Sequence, residues 1–543
     1  MAIAALLSLP RLGVRAVWLD EAYTVGATTE LLDTWRETAG NQALYYLLVW
    51  PIARVSTDAA WIRLPAALLG LAAVAVVFLV GRRLGGVTRG AVAAGGLALS
   101  WGLARFSVEA RSYTMALLLV ATTWLALIAA VQAGDEEAGT DRAADGDDTE
   151  GDPADDAAEG ESAASANGTT NGHVARPAAA AAAGTAPAAR RWWRLYHVAT
   201  ALVPLAHGLS ALNYVVQLAA LGLAPAGDRR PLLRRALVIA PVLAVEFAVM
   251  FLLGAGDVGD WVAPLRPGQL LAFGHVLLGS GVTGVVLGTL TTLAIVEVVR
   301  SYWADRTRAA WLEVLPVFWA LGPSVIVVTM SLIRPYAAAR YVFPSIAAFH
   351  LLMAGLLVRH LRSIRHLTAV AVLVAPLLLL DQRHVTTYGA EGWPELLDCI
   401  AANAEPGDRL ATDANHRSAI DYHWPDHPGL DEVEPLTPPE PLGEVRRLYE
   451  NPTEDLDEFI ALLREDTDGS IWYVDRTPLG RLVVLGMAFD ANLARDYRLI
   501  EPWYFKGDLT LTRLDPVDST RPRGTACDVV PTPSDMRPPS ADD

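Results

Sequence analysis

An uninterrupted apolar stretch occupies residues 64–81, LPAALLGLAAVAVVFLVG, and the basic pair Arg82-Arg83 follows it directly. A helix needs about 20 mostly apolar residues to cross the hydrocarbon core of a bilayer. This stretch has the composition and nearly the length of such a helix, and the two arginines mark its end at a membrane surface. Comparable stretches recur at residues 90–104, 112–133, 236–254, 281–299, 311–333, 341–358 and 367–380.

Two further regions complete the predicted set of spans. Residues 195–224 are long enough for two short helices that turn near His207, and residues 1–17 form a weaker candidate that contains Pro10 and Arg11. The total is about 11 transmembrane helices. The sequence therefore predicts a polytopic α-helical membrane protein.

The charge distribution agrees with this class. Of the 543 residues, 52% are hydrophobic and 19% are charged, whereas a soluble domain carries about 25% charge. Residues 134–189 hold 13 acidic and 2 basic side chains, and residues 391–543 hold 32 acidic and 14 basic side chains. Together these two regions are more negative than the whole chain, whose net charge is −17. The rest of the chain is therefore basic and apolar. Nucleic-acid binders expose their basic charge on one face, so this distribution excludes that class and indicates a lipid bilayer as partner.

The basic residues are almost all arginine. Lys506 is the one lysine among the 43 basic side chains. Together with the abundance of alanine and aspartate, this composition is typical of GC-rich genomes and salt-adapted proteomes, and it favours a haloarchaeal origin. The two cysteines, Cys399 and Cys527, lie so far apart in sequence that neither a disulfide framework nor a cysteine metal site can be argued.

The arginine clusters predict how the chain is oriented in the membrane. Basic residues are enriched in cytoplasmic loops. The clusters lie at 82–89, 190–194, 229–235, 300–308 and 359–365. With the N-terminus in the cytoplasm, about 11 spans bring every cluster to the cytoplasmic side. The opposite loops, at 11–60, 105–111, 255–268 and 333–340, then face outside, as does everything after residue 381.

The chain divides into three predicted parts. Residues 1–383 form the transmembrane domain, with a long first outside loop at 18–60. Within this domain, residues 134–189 have almost no large apolar side chains, which predicts a disordered acidic insert on the cytoplasmic side. Residues 384–518 alternate helical patterns, at 392–403 and 454–464, with strand-like runs at 470–474, 482–485 and 509–514, and they predict a small extracytoplasmic α/β domain. The Pro- and Ser-rich residues 519–543 predict a disordered tail.

Ionisable residues in the first two outside loops are candidates for function. Asp20 and Glu21 come directly after the first span, and Glu109 and Arg111 lie in the very short second loop, followed by Tyr113. Charged groups so close to hydrocarbon are functional candidates by default. Plainer alternatives exist: acidic residues favour a helix N-terminus, and the second-loop charges can pair with one another or snorkel to the interface.

A third cluster lies where the tenth predicted span begins. Arg334, Arg340 and Tyr341 are at the level of the outer leaflet, where an anionic lipid headgroup would be. The plainer alternative is interfacial anchoring by basic and aromatic side chains. His207 is isolated at the outer turn of its hairpin, where a structural role is the commoner one.

Together these residues offer a carboxylate and several cations at one membrane surface. Sugar transfer from a polyprenyl phosphate requires both. An acceptor hydroxyl must lose its proton to a base, and the departing phosphate gains charge that fixed donors stabilise.

The order of these motifs resembles the GT-C membrane glycosyltransferases, in particular the protein O-mannosyltransferase-like family. The run 18–23, WLDEAY, resembles the family's Asp-Glu first-loop motif, and 109–113, EARSY, its Glu-Ala-Arg-x-Tyr signature. Residues 41–46 resemble the following loop segment without its usual His-Pro-Pro, and residues 63–85 resemble the second helix. His207 matches a histidine of the next hairpin, and 340–344, RYVFP, a late Arg-Tyr motif. The resemblance covers residues 15–360 in scattered blocks.

The resemblance implies a GT-C fold and inverting transfer of a monosaccharide, outside the cell, from a dolichyl- or polyprenyl-phosphate donor to a glycan, protein or lipid acceptor. It implies catalytic roles for Asp20 as the base, for Glu109 assisting the acceptor or a metal, and for Glu21. It further implies that donor phosphate or sugar is bound by Arg111, Tyr113, His207, Arg334, Arg340 and Tyr341. No Asp-x-Asp occurs in the early outside loops, so no metal site is predicted, although a divalent cation stays open as a cofactor.

Three other functions compete with this interpretation. A secondary transporter is also polytopic, but internal repeats and broken mid-membrane helices are not found in this sequence. An oligosaccharyltransferase would carry a Trp-Trp-Asp-Tyr-type motif outside, whereas Trp192-Trp193 precedes Arg194 on the predicted cytoplasmic side. A lipid-linked-sugar binding protein without transferase activity is the third. The sequence leaves the sugar and the acceptor open.

Overall fold

The computed structural model describes residues 1–29, 31–38, 40–145, 178–252, 265–361, 363–385, 391–412, 414–435, 469–475, 495–500, 503–507, 509–522 and 527. Its helices up to residue 381 are α1 Ala2–Ser8, α2 Leu19–Thr29, α3 Leu31–Glu37, α4 Ala43–Ala53, α5 Ala59–Leu99, α6 Trp101–Phe106, α7 Tyr113–Asp145, α8 Ala178–Ala206, α9 Leu212–Gly222, α10 Ala226–Ala236, α11 Ala240–Leu252, α12 Pro267–Leu278, α13 Gly281–Asp305, α14 Arg308–Ser331, α15 Ala339–Val342, α16 Ile346–His360 and α17 Ile364–Asp381. The apolar stretches predicted as spans are largely helical where they are described, but α1 and the 3-10 turn that follows it end at Arg11, so the candidate 1–17 is helical only in its first part.

Six helical segments in the described part of the chain are long and apolar enough to cross a membrane. They are α5, α7, α13, α14, the segment Ala339–His360 and α17. The 41-residue α5 contains the first predicted span and most of the second, and it breaks between them at Gly85 and Gly86. Gly86 has a φ of 83°, a left-handed conformation that glycine adopts without a Cβ penalty. The predicted hairpin also forms, since α8 ends at Ala206 and α9 begins at Leu212.

Aromatic side chains fill the centre of the helical bundle. Trp124 of α7 and Trp319 of α14 are buried and stack with their ring centroids 5.7 Å apart. Two buried indoles link neighbouring helical segments through hydrogen bonds to backbone carbonyls. Trp311 Nε1 donates to Ala220 O at 2.9 Å, and Trp319 Nε1 donates to Pro344 O at 3.0 Å. These two bonds satisfy buried indole N–H groups and at the same time fasten neighbouring helical segments to one another.

The predicted disordered insert is helical at both ends. α7 continues to Asp145 and α8 begins at Ala178, so within this insert residues 146–177 lie outside the described part of the chain. Nine of the 12 residues at 178–189 are alanine, the strongest helix former. Both helical ends are also continuous with apolar spans, and extending a formed helix is much easier than nucleating one.

The C-terminal part contains a mixed sheet with two helices, α18 Trp393–Asn403 and α19 Ala414–His423. Its strands are β1 Arg409–Thr412, β2 Glu434–Pro435, β3 Ile471–Asp475, β4 Tyr497–Leu499, β5 Trp503–Phe505 and β6 Leu509–Pro516. Their order in the sheet is β2-β1-β3-β6-β4, and β5 also pairs with β6. Strand β1 is parallel to β2 and β3, whereas β6 is antiparallel to β3, β4 and β5. The strand-like run predicted at 482–485 and the helix predicted at 454–464 lie outside the described residues.

The predicted disordered tail begins as ordered chain. Arg521 is buried and its Nη1 donates to Asp408 Oδ2 at 2.8 Å. Cys527 forms a disulfide with Cys399 of α18, with Cα atoms 5.2 Å apart. The pairing joins residues 128 apart in sequence, which is why their spacing could not predict it. These contacts fasten the start of the tail to the sheet.

The C-terminal part shares a hydrophobic core with the start of the chain. Val17, Leu19 and Ala22, in and just before α2, pack with Trp393 of α18 and Ile420 of α19 in one buried cluster. Each of these side chains is no more than 7% exposed. The helix that carries the two acidic candidates is therefore packed on the C-terminal part along one face.

Candidate active site

The two adjacent carboxylates Asp20 and Glu21 have opposite environments. Both lie in the first turn of α2, where successive side chains point about 100° apart. Glu21 is completely buried, whereas the side chain of Asp20 is 19% exposed. The helix therefore turns one acid inward and leaves the other accessible.

Glu21 is the centre of a group that we term the buried carboxylate network: Arg15, Glu21, Arg63, Arg105 and Glu109. Arg63 Nε donates to Glu21 Oε1 at 2.7 Å, and Arg63 Nη2 donates to Oε2 at 2.6 Å. The backbone N–H of Ala110 also donates to Oε1, at 2.7 Å. Burial alone would raise the pKa of Glu21, but the charge and hydrogen bonds of Arg63, with help from Arg15, lower it to about 2.

The same network caps the N-terminus of α2 and fixes this helix to the second loop. The backbone N–H of Trp18, just before the helix, donates to Glu21 Oε2 at 3.4 Å, as in the reciprocal half of a capping box. Glu109 is also buried, where it pairs with Arg105 and lies 3.6 Å from Arg15. Glu21 and Glu109 therefore lie in the protein interior, where their contacts hold the two loops together.

Asp20 faces a second group, which we term the Asp–Arg cluster: Asp20, Arg111, Tyr113, His207, Arg340 and Tyr341. Arg340 Nη1 donates to Asp20 Oδ2 at 3.0 Å, and Arg111 Nε lies 4.0 Å from the same oxygen. Arg111 Nη1 also donates to the backbone oxygen of Asp20 at 3.0 Å. Burial alone would lower the pKa of Arg111, but its electrostatic interactions with Tyr46 and Asp20 have the larger effect and raise that pKa. The charges of Asp20, Arg111 and Arg340 sum to +1.

Aromatic rings form one wall of the Asp–Arg cluster. The His207 ring lies 5.4 Å from that of Tyr341 and 5.9 Å from that of Tyr113, measured between centroids. Burial, reinforced by the charges of Arg340 and Arg111, lowers the pKa of His207 to about 3. The imidazole is therefore neutral at physiological pH and adds no further charge to the cluster.

The structure brings together candidates that are far apart in sequence. Asp20, Arg111, His207 and Arg340 meet where α7 and α15 begin and α8 ends. Arg334 lies six residues before Arg340, in the connection between α14 and α15. The role of Arg334 stays a prediction.

Sequence reasoning missed several residues that build the site. Arg63 and Arg15 complete the buried carboxylate network, and an arginine at the start of an apolar span was the available signal for Arg63. Asn41 Oδ1 accepts from the backbone N–H of Gly208 at 3.0 Å, which ties the first loop to the turn that carries His207. Gln42 has a left-handed φ of 63° and accepts from Ser112 Oγ at 3.3 Å. Nothing in the local sequence predicts that conformation.

Within the described ranges, no group of three or more His, Cys, Asp or Glu side chains is arranged to hold a metal ion. The groups that the site does offer are an accessible carboxylate, two guanidinium groups and a neutral imidazole.

Comparison with known structures identifies the fold. ArnT from Cupriavidus metallidurans in the apo state superposes with a TM-score of 0.55 at 14% identity, over 94% of this chain and 96% of ArnT. The same protein bound to undecaprenyl phosphate gives a TM-score of 0.53 at 12% identity over the same shares. The archaeal oligosaccharyltransferase AglB from Archaeoglobus fulgidus, in complex with an inhibitory peptide and a dolichol-phosphate, gives 0.50 at 13% identity over 92% of this chain and 72% of AglB.

No protein-family model matches the sequence, and no curated protein matches it. The structural likeness nevertheless extends over almost the whole chain. The chain is a multi-pass helical membrane protein with the GT-C fold and a small C-terminal sheet, as the sequence predicted.

Proposed function

We propose that this chain is a membrane glycosyltransferase. It transfers a monosaccharide, with inversion, from a dolichyl or polyprenyl phosphate to a glycan, protein or lipid acceptor on the outer face of the membrane. The observation that carries the proposal is the accessible Asp20 carboxylate with Arg340 at 3.0 Å and Arg111 at 4.0 Å. A general base and phosphate-binding cations are the two requirements of this chemistry.

The donor phosphate is assigned to the two arginines of the Asp–Arg cluster. Arginine can grip a phosphate through two parallel hydrogen bonds. Arg340 has an exposed side-chain fraction of 22% and Arg111 one of 12%, so both are partly accessible. The net charge of +1 in the cluster favours an incoming anion. His207, Tyr113 and Tyr341 then line the pocket for phosphate or sugar, and Arg334 adds positive potential nearby.

Asp20 is assigned as the base. The acceptor oxygen attacks the anomeric carbon of the sugar while Asp20 takes the acceptor proton. The bond from that carbon to the phosphate oxygen breaks, and the lipid phosphate leaves with both electrons of the bond. Arg340 and Arg111 stabilise the charge that develops on the leaving group. When the phosphate takes over Arg340, Asp20 loses an ion-pair partner, which raises its affinity for a proton.

The remaining two candidates receive positioning roles. Glu21 and Glu109 are buried among arginines, so we assign them to holding the first and second loops rather than to contact with substrate. The arginine pattern of the sequence supports placing both loops and the C-terminal part outside the cell.

The test uses the purified full-length chain in lipid nanodiscs with a lipid extract that contains dolichyl-phosphate-linked monosaccharides. Mass spectrometry follows the release of dolichyl phosphate and the gain of a hexose mass on added glycan or peptide acceptors. We expect both free dolichyl phosphate and the glycosylated acceptor. Donor binding without release would identify a binding protein instead, and donor-independent solute uptake by proteoliposomes would identify a transporter.

A further inference from the structure

The N-terminus of α2 is capped by a side chain from the C-terminal part of the protein. The backbone N–H of Leu19, the first residue of α2, donates to Glu391 Oε2 at 2.9 Å across 372 residues of sequence. The first N–H groups of a helix have no partner within the helix, and an acidic group beside them is also favoured by the helix dipole. Asp20 is the next residue in the chain.

Glu391 is itself held in place. Trp393 Nε1 donates to the same oxygen, Glu391 Oε2, at 2.6 Å, and Trp393 is completely buried. Glu391 is only 3% exposed. The carboxylate is therefore fixed at the start of α18, and through it α18 is joined to the first turn of α2.

A second contact from the C-terminal part holds the same segment. His423 Nε2, at the end of α19, donates to the backbone oxygen of Val17 at 2.9 Å. Val17 and Leu19 are also buried in the hydrophobic cluster of the C-terminal part. Both backbone bonds lie within three residues of Asp20, so the position of Asp20 depends on the C-terminal part as well as on the buried carboxylate network.

We propose that Glu391 is a positioning residue for Asp20, and that the C-terminal α/β part completes the catalytic site by capping the helix that carries the base. This inference rests on the proposed function of Asp20. The bonds described for Glu391 go to Leu19 and Trp393, whereas donor phosphate is assigned to Arg111 and Arg340, so we expect its loss to affect turnover and to leave donor binding nearly unchanged.

The test compares Glu391→Ala and Glu391→Gln with the wild type, all as full-length protein in nanodiscs. The matched control is Glu395→Gln, which neutralises an exposed carboxylate four residues away in α18. Hydrogen exchange of the peptide that covers residues 16–24 reports the capping directly and needs no transferase activity. A lost cap of ordinary strength corresponds to about fivefold faster exchange in the first turn of the helix.

The proposal expects Glu391→Ala to exchange faster in this peptide and to lower kcat by about tenfold to a hundredfold, with the donor KM nearly unchanged. Glu391→Gln keeps an acceptor oxygen and is expected to recover most of both properties, and Glu395→Gln to match the wild type. If Glu391→Ala fails to insert, Glu391→Asp, which shortens the side chain, replaces it.

Two results would overturn the proposal: unchanged exchange in Glu391→Ala, or faster exchange with unchanged kcat. A wild-type protein without transferase activity would instead refute the proposed function. In that case the exchange measurement still decides whether Glu391 holds the first turn of α2.

Discussion

The Asp–Arg cluster and the buried carboxylate network both pair carboxylates with guanidinium groups in neighbouring places, yet the two pairings are suited to different tasks. In the network, each oxygen of Glu21 is engaged by buried donors, and the carboxylate is completely inaccessible. In the cluster, Asp20 is partly exposed and faces two arginines whose charge it does not balance. Of the two adjacent acids, Asp20 can thus exchange its ion-pair partner for a substrate, whereas Glu21 cannot.

The largest expected effect on catalysis follows from removing the accessible carboxylate. Asp20→Asn keeps the size of the side chain but removes the base, so the rate of transfer should fall by about 10² to 10⁴. The protein should still insert and retain its thermal stability, because Asp20 is not part of the buried network. Donor turnover in nanodiscs measures the effect, and Asp58→Asn, at an exposed carboxylate before α5, is the matched control. An Asp20→Asn protein with more than half of wild-type activity would exclude Asp20 as the base.

The corresponding change in the buried network should affect stability first. Glu21→Gln removes the charge that compensates Arg63, and breaking a buried ion pair from one side costs about 3–5 kcal/mol. The variant should therefore unfold at a markedly lower temperature than the wild type, or fail to accumulate in membranes. Thermal unfolding in detergent measures this. Wild-type stability with a complete loss of transfer would instead assign Glu21 a direct catalytic role.

Exchange of lysine for arginine in the Asp–Arg cluster separates charge from geometry. Arg340→Lys keeps the positive charge but loses the planar fork that can hold a phosphate by two bonds. We expect kcat to fall by about tenfold together with weaker donor binding, because contact with the phosphate strengthens as it leaves. Donor titrations on both proteins measure the two parameters. Kinetics identical to wild type would make Arg340 an interfacial anchor only.

The low pKa of Glu21 predicts how stability depends on pH. Its folded-state pKa of about 2 lies below the ordinary value of 4.5. A depressed carboxyl pKa contributes stability that is fully present above the unfolded-state value and is lost as the pH falls toward the folded-state value. The wild-type unfolding temperature should therefore fall between about pH 4.5 and pH 2, and Glu21→Gln should lack this component. Equal pH dependence in both proteins would show that other groups cause it.

The smallest effect is expected far from both regions. Deletion of residues 136–187 removes most of the acidic insert, which the sequence places on the membrane face opposite the site. Transfer activity in nanodiscs should stay within about twofold of the wild type. An inserted but inactive deletion variant would reveal a catalytic or assembly role for this segment.

The fold and the members of the Asp–Arg cluster could be predicted from the sequence because hydropathy and membrane topology are encoded locally. Apolar stretches and arginine clusters are read within about 20 residues. These local patterns alone assign Asp20, Glu109, Arg111 and Arg340 to loops on the same face of the membrane.

The division of labour between the acids could not be predicted in this way. Whether Asp20 or Glu21 faces inward depends on the exact start of α2 and on partners such as Arg63, Ala110 and Glu391, which are remote in sequence. The disulfide between Cys399 and Cys527 could not be predicted either, because the two cysteines are also remote in sequence. A helix start shifted by one residue would rotate both acids by about 100°.

The most direct test of the account is a structure of this protein with dolichyl phosphate bound. We expect phosphate oxygens about 3 Å from guanidinium nitrogens of Arg340 and Arg111. We also expect Asp20 to be released from Arg340, while Glu21 keeps its bonds to Arg63. A phosphate bound elsewhere, with the Asp20–Arg340 pair intact at 3.0 Å, would contradict it.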